Sequence, residues 1–198
     1  MPQSSASRTM NSKSDKNKLR CFIGIHFSLA KELRFLNQSL VHIASDPRSK
    51  LRVVDESNLH VTLKFLGSIE HDQVHSLIKA LSALEFKSTI KLNCRGLGFF
   101  YNSIWIGVER NEALSKLAAV LDKKCAALGF KQERKTYVPH VTVARFSKNA
   151  QLELSRLMSV YGDSDWGCFS ASEFNLYKSQ TLPQGARYSI IESFPLMD

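Results

Sequence analysis

A His-Val-Thr pattern that occurs twice supplies the side chains of this sequence that are best suited to catalysis. One copy is LHVTLKF, around His60, and the other is PHVTVARF, around His140. Successive side chains of a β-strand point to opposite faces, so in a strand His60 shares a face with Thr62. The same holds for His140 and Thr142. A single pattern of this kind is typical of a half-buried structural histidine, whereas two copies with similar neighbours favour a function.

Two imidazoles beside two hydroxyls are suited to a displacement at phosphorus. Histidine titrates near neutral pH, so one ring can take a proton from an attacking water while the other gives a proton to the departing oxygen. Threonine hydroxyls can donate to the non-bridging phosphate oxygens. Neither motif strand contains Asp or Glu, so the sequence favours chemistry without a metal. A strained five-membered cyclic phosphate fits such chemistry, because ring opening relieves the strain.

A basic residue follows each motif. Lys64 has the strand phase of His60, which predicts contact with the phosphate; the alternative is a solvent-exposed side chain. Simple alternation puts Arg145 opposite His140, so Arg145 lines the same cleft only past the strand end or at a bulge. We still predict that Arg145 binds the phosphate, because Arg is a bidentate phosphate partner, with a surface ion pair as the alternative.

If the cyclic phosphate ends an RNA, aromatic side chains near the motifs are candidates for stacking on the terminal base of that RNA. Tyr137, three residues before the second histidine, is the candidate singled out here, with residues 99–101 as further possibilities. Phe65 and Phe146 are assigned to the core. Arg134 and Lys135 either follow an RNA backbone or form a solvated basic loop.

The composition is that of a basic globular protein. The chain has 198 residues, enough for one compact domain or two small lobes, and 27 Lys and Arg against 18 Asp and Glu give a net charge of +9. This charge favours polyanions such as nucleic acid. No apolar run is long enough to span a bilayer and the amino terminus lacks a secretory core, so a cytoplasmic location without a membrane partner is expected. The four cysteines are scattered, which indicates neither a zinc site nor a redox motif.

The periodicity predicts an α+β domain of two similar lobes around a central cleft. A polar stretch at residues 1–18 is interpreted as a flexible leader, followed by a single domain at residues 19–198. Gly129 is expected to end a helix, and Pro139 to delay the second motif strand until His140. The predicted helices are residues 29–45, 72–84, 112–128 and 150–160. The predicted strands include residues 19–27, 51–54, 59–66, 86–97, 103–108, 166–178 and 187–194.

The two motifs and their surroundings resemble the 2H phosphoesterase superfamily. The resemblance is carried by LHVTLKFLG and YVPHVTVAR, with support from RCFIGI near the amino terminus and IWIGV between the motifs. Within the superfamily, the sequence is most similar to the bacterial RNA 2′,3′-cyclic phosphodiesterases, historically called 2′-5′ RNA ligases. The similarity extends over about residues 19–194.

The resemblance implies metal-independent hydrolysis of an RNA 2′,3′-cyclic phosphate to a 2′-phosphomonoester in a bilobal fold. Carried over by motif position, His60 is the proton donor and His140 the proton acceptor, and Thr62 and Thr142 hold the phosphate. The expected partner is an RNA with a cyclic phosphate end, tRNA fragments among the candidates, bound by a monomer without cofactor or metal. The alternatives are 2′-5′ end joining of RNA, hydrolysis of smaller cyclic phosphates, and a binding module without catalysis.

Overall fold

The computed structural model describes residues 18–28, 31, 33–86, 89–148, 150, 154–183 and 185–196. Within these residues the chain forms nine β-strands and four α-helices. The strands are β1 (Lys18–His26), β2 (Leu51–Val53), β3 (His60–Glu70), β4 (Ile90–Phe100), β5 (Ser103–Val108), β6 (His140–Phe146), β7 (Asp165–Ala171), β8 (Glu173–Leu182) and β9 (Gly185–Pro195). The helices are α1 (Leu33–Ala44), α2 (His71–Ser82), α3 (Glu112–Ala127) and α4 (Leu154–Tyr161).

The strands form one antiparallel sheet with the two motif strands at its centre. The order across the sheet is β7-β4-β5-β6-β3-β1-β8-β9, and β2 also pairs with β6. β3 pairs with β6 at Val61 and Val141. Further along, from Ala144 onwards, β6 pairs with β2. The two halves of the sheet therefore meet at the central valines of the two motifs.

The helices cover the face of the sheet that carries these valines. Val61 and Val141 are fully buried and belong to one hydrophobic core, to which the helices contribute apolar side chains such as Leu36, Leu77 and Leu117. α3 packs against β3, and α1 packs against β2. Alternation along the strands then leaves the motif histidines and threonines on the opposite face, where they are partly exposed.

The α+β fold with two similar halves predicted from the sequence is confirmed, and the structure adds that both halves share one sheet. Gly129 has a φ of +86° just after α3, the left-handed conformation of a helix-ending glycine. The second motif strand begins at His140, after Pro139, as predicted. No described helix is long and apolar enough to cross a membrane.

Two boundary predictions need correction or lie outside the structure. Residues 166–178 are not one strand, because the strand is interrupted at Ser172: β7 pairs with β4, whereas β8 pairs with β1 and β9. The predicted leader falls on residues 1–17, which lie outside the described residues, and on Lys18. Lys18 is the first residue of β1, where it pairs with Glu70.

Candidate active site

The two motifs face each other across the β3–β6 pair. The antiparallel register aligns Val61 with Val141. His60, the residue before Val61, therefore lies opposite Thr142, the residue after Val141. In the same way, Thr62 lies opposite His140. Each imidazole therefore has one threonine two residues along its own strand and a second across the pair. This arrangement brings the four predicted motif residues to one face of the sheet.

Each histidine is oriented by the backbone carbonyl two residues before it. His60 Nδ1 lies 2.7 Å from the Asn58 carbonyl oxygen, and His140 Nδ1 lies 2.8 Å from that of Val138. A carbonyl oxygen can only accept, so Nδ1 carries the proton in both rings. In a neutral imidazole this leaves Nε2 with its lone pair, which is the nitrogen able to take a proton from a substrate.

His60 is enclosed by aromatic rings. Its ring centroid lies 4.7 Å from that of Phe22, 5.1 Å from that of Tyr188 and 6.2 Å from that of Tyr177. This burial lowers the pKa of His60 from 6.5 to about 4, outweighing the carbonyl hydrogen bond, which raises it. The positive charge of Arg145 lowers the pKa of His60 further. The ring is therefore neutral at pH 7 before substrate binds.

His140 has a second aromatic wall. The ring of Phe100 lies edge-on, with centroids 5.1 Å apart, and the ring of Trp105 is 5.9 Å away. Trp105 occupies space that only glycine leaves free, because a Cβ on Gly98 would overlap the indole ring. Phe100 keeps 39% of its surface exposed. Of the aromatic loop residues proposed for stacking, the structure thus brings Phe100 into contact with the site.

A bulge in β6 turns Arg145 toward the site. β5 pairs Trp105 with Thr142 but Ile104 with Ala144, so β6 carries one extra residue between them. Val143 and Ala144 are both buried, and Arg145 is exposed on the face of the motif histidines. Arg145 donates from Nη1 to Ser103 Oγ over 3.2 Å. Of the two possibilities predicted for Arg145, a position past the strand end or a bulge, the structure shows the bulge.

A matching bulge in β3 contradicts the placement predicted for Lys64. β1 pairs Gly24 with Thr62 but Ile23 with Lys64, so β3 also carries one extra residue, Leu63. The shift turns Lys64 into the core, where its side chain is 1% exposed. Nζ lies 2.7 Å from Asp122 Oδ1 and donates to the Lys131 carbonyl over 2.6 Å. Lys64 thus lies on the face away from His60, and neither the phosphate contact nor the solvent-exposed alternative is correct.

The same bulge exposes Phe65, which sequence reasoning assigned to the core. Phe65 is 64% exposed and occupies the position in β3 that Arg145 occupies in β6. Its ring is tilted against that of Phe22, with centroids 6.4 Å apart, and Phe22 in turn contacts His60. Phe146, in contrast, packs against the core as predicted. The alignment of the two motifs was the sequence signal that could have identified Phe65, because Phe65 and Arg145 both lie five residues after their motif histidine.

Tyr137 does not offer the free ring that stacking on a base requires. Its side chain is half-buried against the core, and its hydroxyl donates to the Thr62 carbonyl over 3.1 Å. Burial raises the pKa of Tyr137. The side chain instead ties the segment before β6 to the first motif strand. Arg134 and Lys135 lie in the exposed loop before Tyr137.

The described residues contain no group of three or more His, Cys, Asp or Glu side chains placed to hold a metal ion. Cys21, Cys94 and Cys125 are buried free thiols, and Cys168 is an exposed one. Burial raises the pKa of Cys21 and of Cys125 to about 11, so these thiols stay protonated at neutral pH.

Several known proteins are similar to this chain in sequence or in fold. A protein of Methanocaldococcus jannaschii named RNA 2′,3′-cyclic phosphodiesterase is 34% identical over 151 residues, which are 73% of this chain and 84% of the relative. A protein of the same name from Methanothermobacter thermautotrophicus is 29% identical over 186 residues, 90% of this chain and 100% of the relative. The crystal structure of Escherichia coli LigT complexed with 3′-AMP has a TM-score of 0.71 at 22% identity, covering 91% of this chain and 99% of that one.

The family assignment follows from the sequence match and agrees with the fold. The sequence pattern of the 2′-5′ RNA ligase superfamily matches residues 30–181, which include both His-Val-Thr motifs and both bulges. The LigT structure shares the fold of this chain. The resemblance inferred from the sequence is therefore confirmed, and the chain belongs to the 2′-5′ RNA ligase superfamily.

Proposed function

We propose that this protein hydrolyses the 2′,3′-cyclic phosphate end of an RNA to a 2′-phosphomonoester and a 3′-hydroxyl, without a metal. The observation that carries the proposal is the pair of imidazoles with backbone-oriented Nδ1 atoms, set beside two threonines on one sheet face. The activity named for the relatives supports the choice of substrate. The exposed guanidinium of Arg145 on the same face supports an anionic ligand.

In the proposed reaction, water attacks phosphorus and the bond from phosphorus to O3′ breaks. The acceptor histidine takes the water proton on Nε2, and the donor histidine gives its Nε2 proton to O3′. The hydroxyls of Thr62 and Thr142 donate to the non-bridging oxygens, and Arg145 offsets their negative charge. At the end the two histidines have exchanged protonation states, and proton exchange with water restores them.

The assignment of His60 as donor and His140 as acceptor rests on motif position. A donor must be protonated, yet the pKa of His60 is about 4 in the free protein. The two statements agree if the bound phosphate anion raises the pKa of His60, since an opposite charge favours the imidazolium. Without substrate, His60 would be in the state of a base. Substrate binding would therefore set its catalytic form.

The titration of His60 tests this assignment. We expect an NMR midpoint near pH 4 for the His60 ring in the free protein and a higher midpoint with a nucleoside 2′-phosphate bound. Stability should also fall as the pH drops from 6.5 to 4, because in that window the unfolded chain binds a proton at this residue and the folded chain does not. A His60→Asn variant should lack this contribution. A free-protein midpoint at or above 6.5 would contradict the desolvated site.

The reaction itself is tested by product analysis. Purified protein, with a chelator present, should convert a short RNA ending in a 2′,3′-cyclic phosphate to the 2′-phosphate, as resolved by chromatography against 2′- and 3′-phosphate standards. The same RNA ending in a 3′-phosphate is the control and should remain unchanged. Activity that disappears with the chelator and returns with a divalent cation would refute the metal-free mechanism. Exclusive formation of a 3′-phosphate would refute the proposed bond cleavage.

RNA end joining would use the same groups in the same roles. If a 5′-hydroxyl replaces water, the acceptor histidine takes its proton, the bond from phosphorus to O3′ breaks, and the donor histidine protonates O3′, which leaves a 2′-5′ linkage. The superfamily name supports testing this activity. Adding an RNA with a 5′-hydroxyl to the assay above measures joining and hydrolysis together. Bound but unchanged RNA would instead favour a binding module.

A further inference from the structure

A cleft of about 360 Å³ adjoins the candidate active site. It lies between β2, the turn before β3, the end of β6 and the β8–β9 hairpin. The residues that line it and carry the following inference are Lys50, Arg52, Asp55, Asn58, Arg145 and Tyr188.

Three of these residues, Asn58, Tyr188 and Arg145, belong both to the cleft and to the surroundings of His60. The Asn58 carbonyl orients His60, and the Tyr188 ring lies edge-on to His60 with centroids 5.1 Å apart. Asn58 also accepts, through Oδ1, a hydrogen bond from the Tyr188 backbone N–H. Arg145 lines the cleft and lowers the pKa of His60 by its charge. A ligand with its reactive end between the histidines therefore has this cleft as an adjoining space.

The cleft has a concentration of positive charge. Arg52 is the cross-strand partner of Arg145 in the β2–β6 register, and Lys50 lies two residues before Arg52. Like charges directly opposite each other are destabilising, so the pairing of these two arginines lowers the stability of the fold. Among the described residues, no carboxylate lies within ion-pair distance of Lys50, Arg52 or Arg145. The cleft carboxylate, Asp55, accepts hydrogen bonds from the N–H and hydroxyl of Ser57.

The backbone helps to place these cations. Gly185 has a φ of +136°, and a Cβ on this residue would lie 3.4 Å from Arg52 Cδ and Nη1, so the Arg52 side chain lies against the hairpin. Lys50 has a φ of 43°, a left-handed conformation that glycine or asparagine adopts more readily. The turn geometry therefore does not explain why residue 50 is a lysine, whereas binding of an anion by its ammonium group would explain it.

We propose that Lys50 and Arg52 bind the phosphodiester on the 5′ side of the nucleotide that carries the cyclic phosphate. The subsite would make the enzyme prefer an RNA chain over a free nucleoside 2′,3′-cyclic phosphate, which lacks that group. This inference rests on the proposed function, because it assumes that the cyclic phosphate lies between His60 and His140. It adds a second phosphate contact about one nucleotide away.

A substrate series with Lys50→Gln/Arg52→Gln tests the subsite. The substrates are a nucleoside 2′,3′-cyclic phosphate, the same compound with a 5′-phosphate, and a dinucleotide and a hexanucleotide with cyclic ends. We expect kcat/KM to fall about 10- to 100-fold for the three substrates that carry the extra phosphate, because each lost charge-assisted hydrogen bond costs about tenfold. The substrate without it should change less than about twofold. The salt dependence of hexanucleotide binding should also become weaker.

Lys79→Gln is the control for the loss of a single positive charge, because Lys79 is an exposed lysine of α2 away from the cleft, and each single cleft variant is compared with it. Equal losses on all four substrates, or no loss on any of them, would overturn the proposal. Binding of a hexanucleotide ending in a 2′-phosphate, followed by fluorescence anisotropy, keeps the test independent of turnover. If the wild type hydrolyses none of the substrates, the proposed function fails. The subsite is then tested by binding alone, and a cleft variant that binds the hexanucleotide as tightly as Lys79→Gln does would refute it.

Discussion

Replacing either His60 or His140 by Asn is expected to lower kcat by about 10²- to 10⁴-fold while leaving the fold intact. Asn can still donate from its side-chain amide to a nearby carbonyl, as Nδ1 does now, but it cannot transfer a proton at neutral pH. In the proposed mechanism the two rings act in one step, so the double variant should be about as slow as the slower single variant. Single-turnover rates on an RNA with a 2′,3′-cyclic phosphate end measure the loss.

His75→Asn is the matched control for these variants. His75 lies on α2, is exposed, and its Nδ1 is 3.1 Å from the His71 carbonyl oxygen, so it makes the same kind of hydrogen bond away from the candidate site. Its replacement should leave kcat within about twofold of wild type. Near-normal turnover by either motif variant would eliminate the two-histidine mechanism. Losses that multiply in the double variant would show that the rings act in separate steps.

Lys64→Met is expected to destabilise the protein by about 3 kcal/mol, because it leaves the partly buried Asp122 carboxylate and the Lys131 carbonyl without their ammonium partner. Methionine keeps much of the buried aliphatic stem, so lost packing contributes little. Burial on its own would raise the pKa of Asp122, but the hydrogen bonds from Lys64 and from the Glu133 N–H lower it overall. Urea unfolding at pH 7 measures the change.

The interpretation of Lys64 as a structural ion pair can be separated from a role in phosphate binding. Replacing the pair together, as Lys64→Met/Asp122→Leu, should recover most of the lost stability, since no unpaired charge is left. Lys18→Met is the control, because its ion pair with Glu70 is exposed and contributes about 0 to 1 kcal/mol. A Lys64→Met protein of wild-type stability but with a strongly raised KM would support the phosphate contact predicted by simple alternation.

The strand faces of the first motif, the start of β6 and the end of α3 were predicted correctly, because each depends on a local property of the sequence. A period of two puts His60 and Thr62 on one face with Val61 opposite, and this alternation depends on the strand backbone alone. Pro139 cannot donate a ladder hydrogen bond, so the start of β6 at His140 followed from one residue type. Gly129 ended α3 for a similarly local reason, its tolerance of positive φ.

The errors begin where each motif strand gains one residue relative to its neighbour. Phe65 and Lys64 exchanged their predicted faces because β3 has a bulge against β1. Sequence periodicity does not reveal a bulge, which forms when the pairing of two strands and the packing on both faces favour an extra residue. The burial of an ammonium also depends on Asp122 of α3 and the Lys131 carbonyl, two distant groups that reach Lys64 only after folding.

Side-chain chemistry and strand alternation are local properties, so the candidate reactive groups, their order along two strands and the α+β class could all be predicted from the sequence. Folding set which residues surround those groups. It placed Arg145 beside the histidines, turned Lys64 into the core and exposed Phe65. It also lowered the pKa of His60 by enclosing the ring with Phe22 of β1, Tyr177 of β8 and Tyr188 of β9, all of them far from His60 in the chain. Desolvation depends on what surrounds a group in space, and only the folded sheet sets those surroundings.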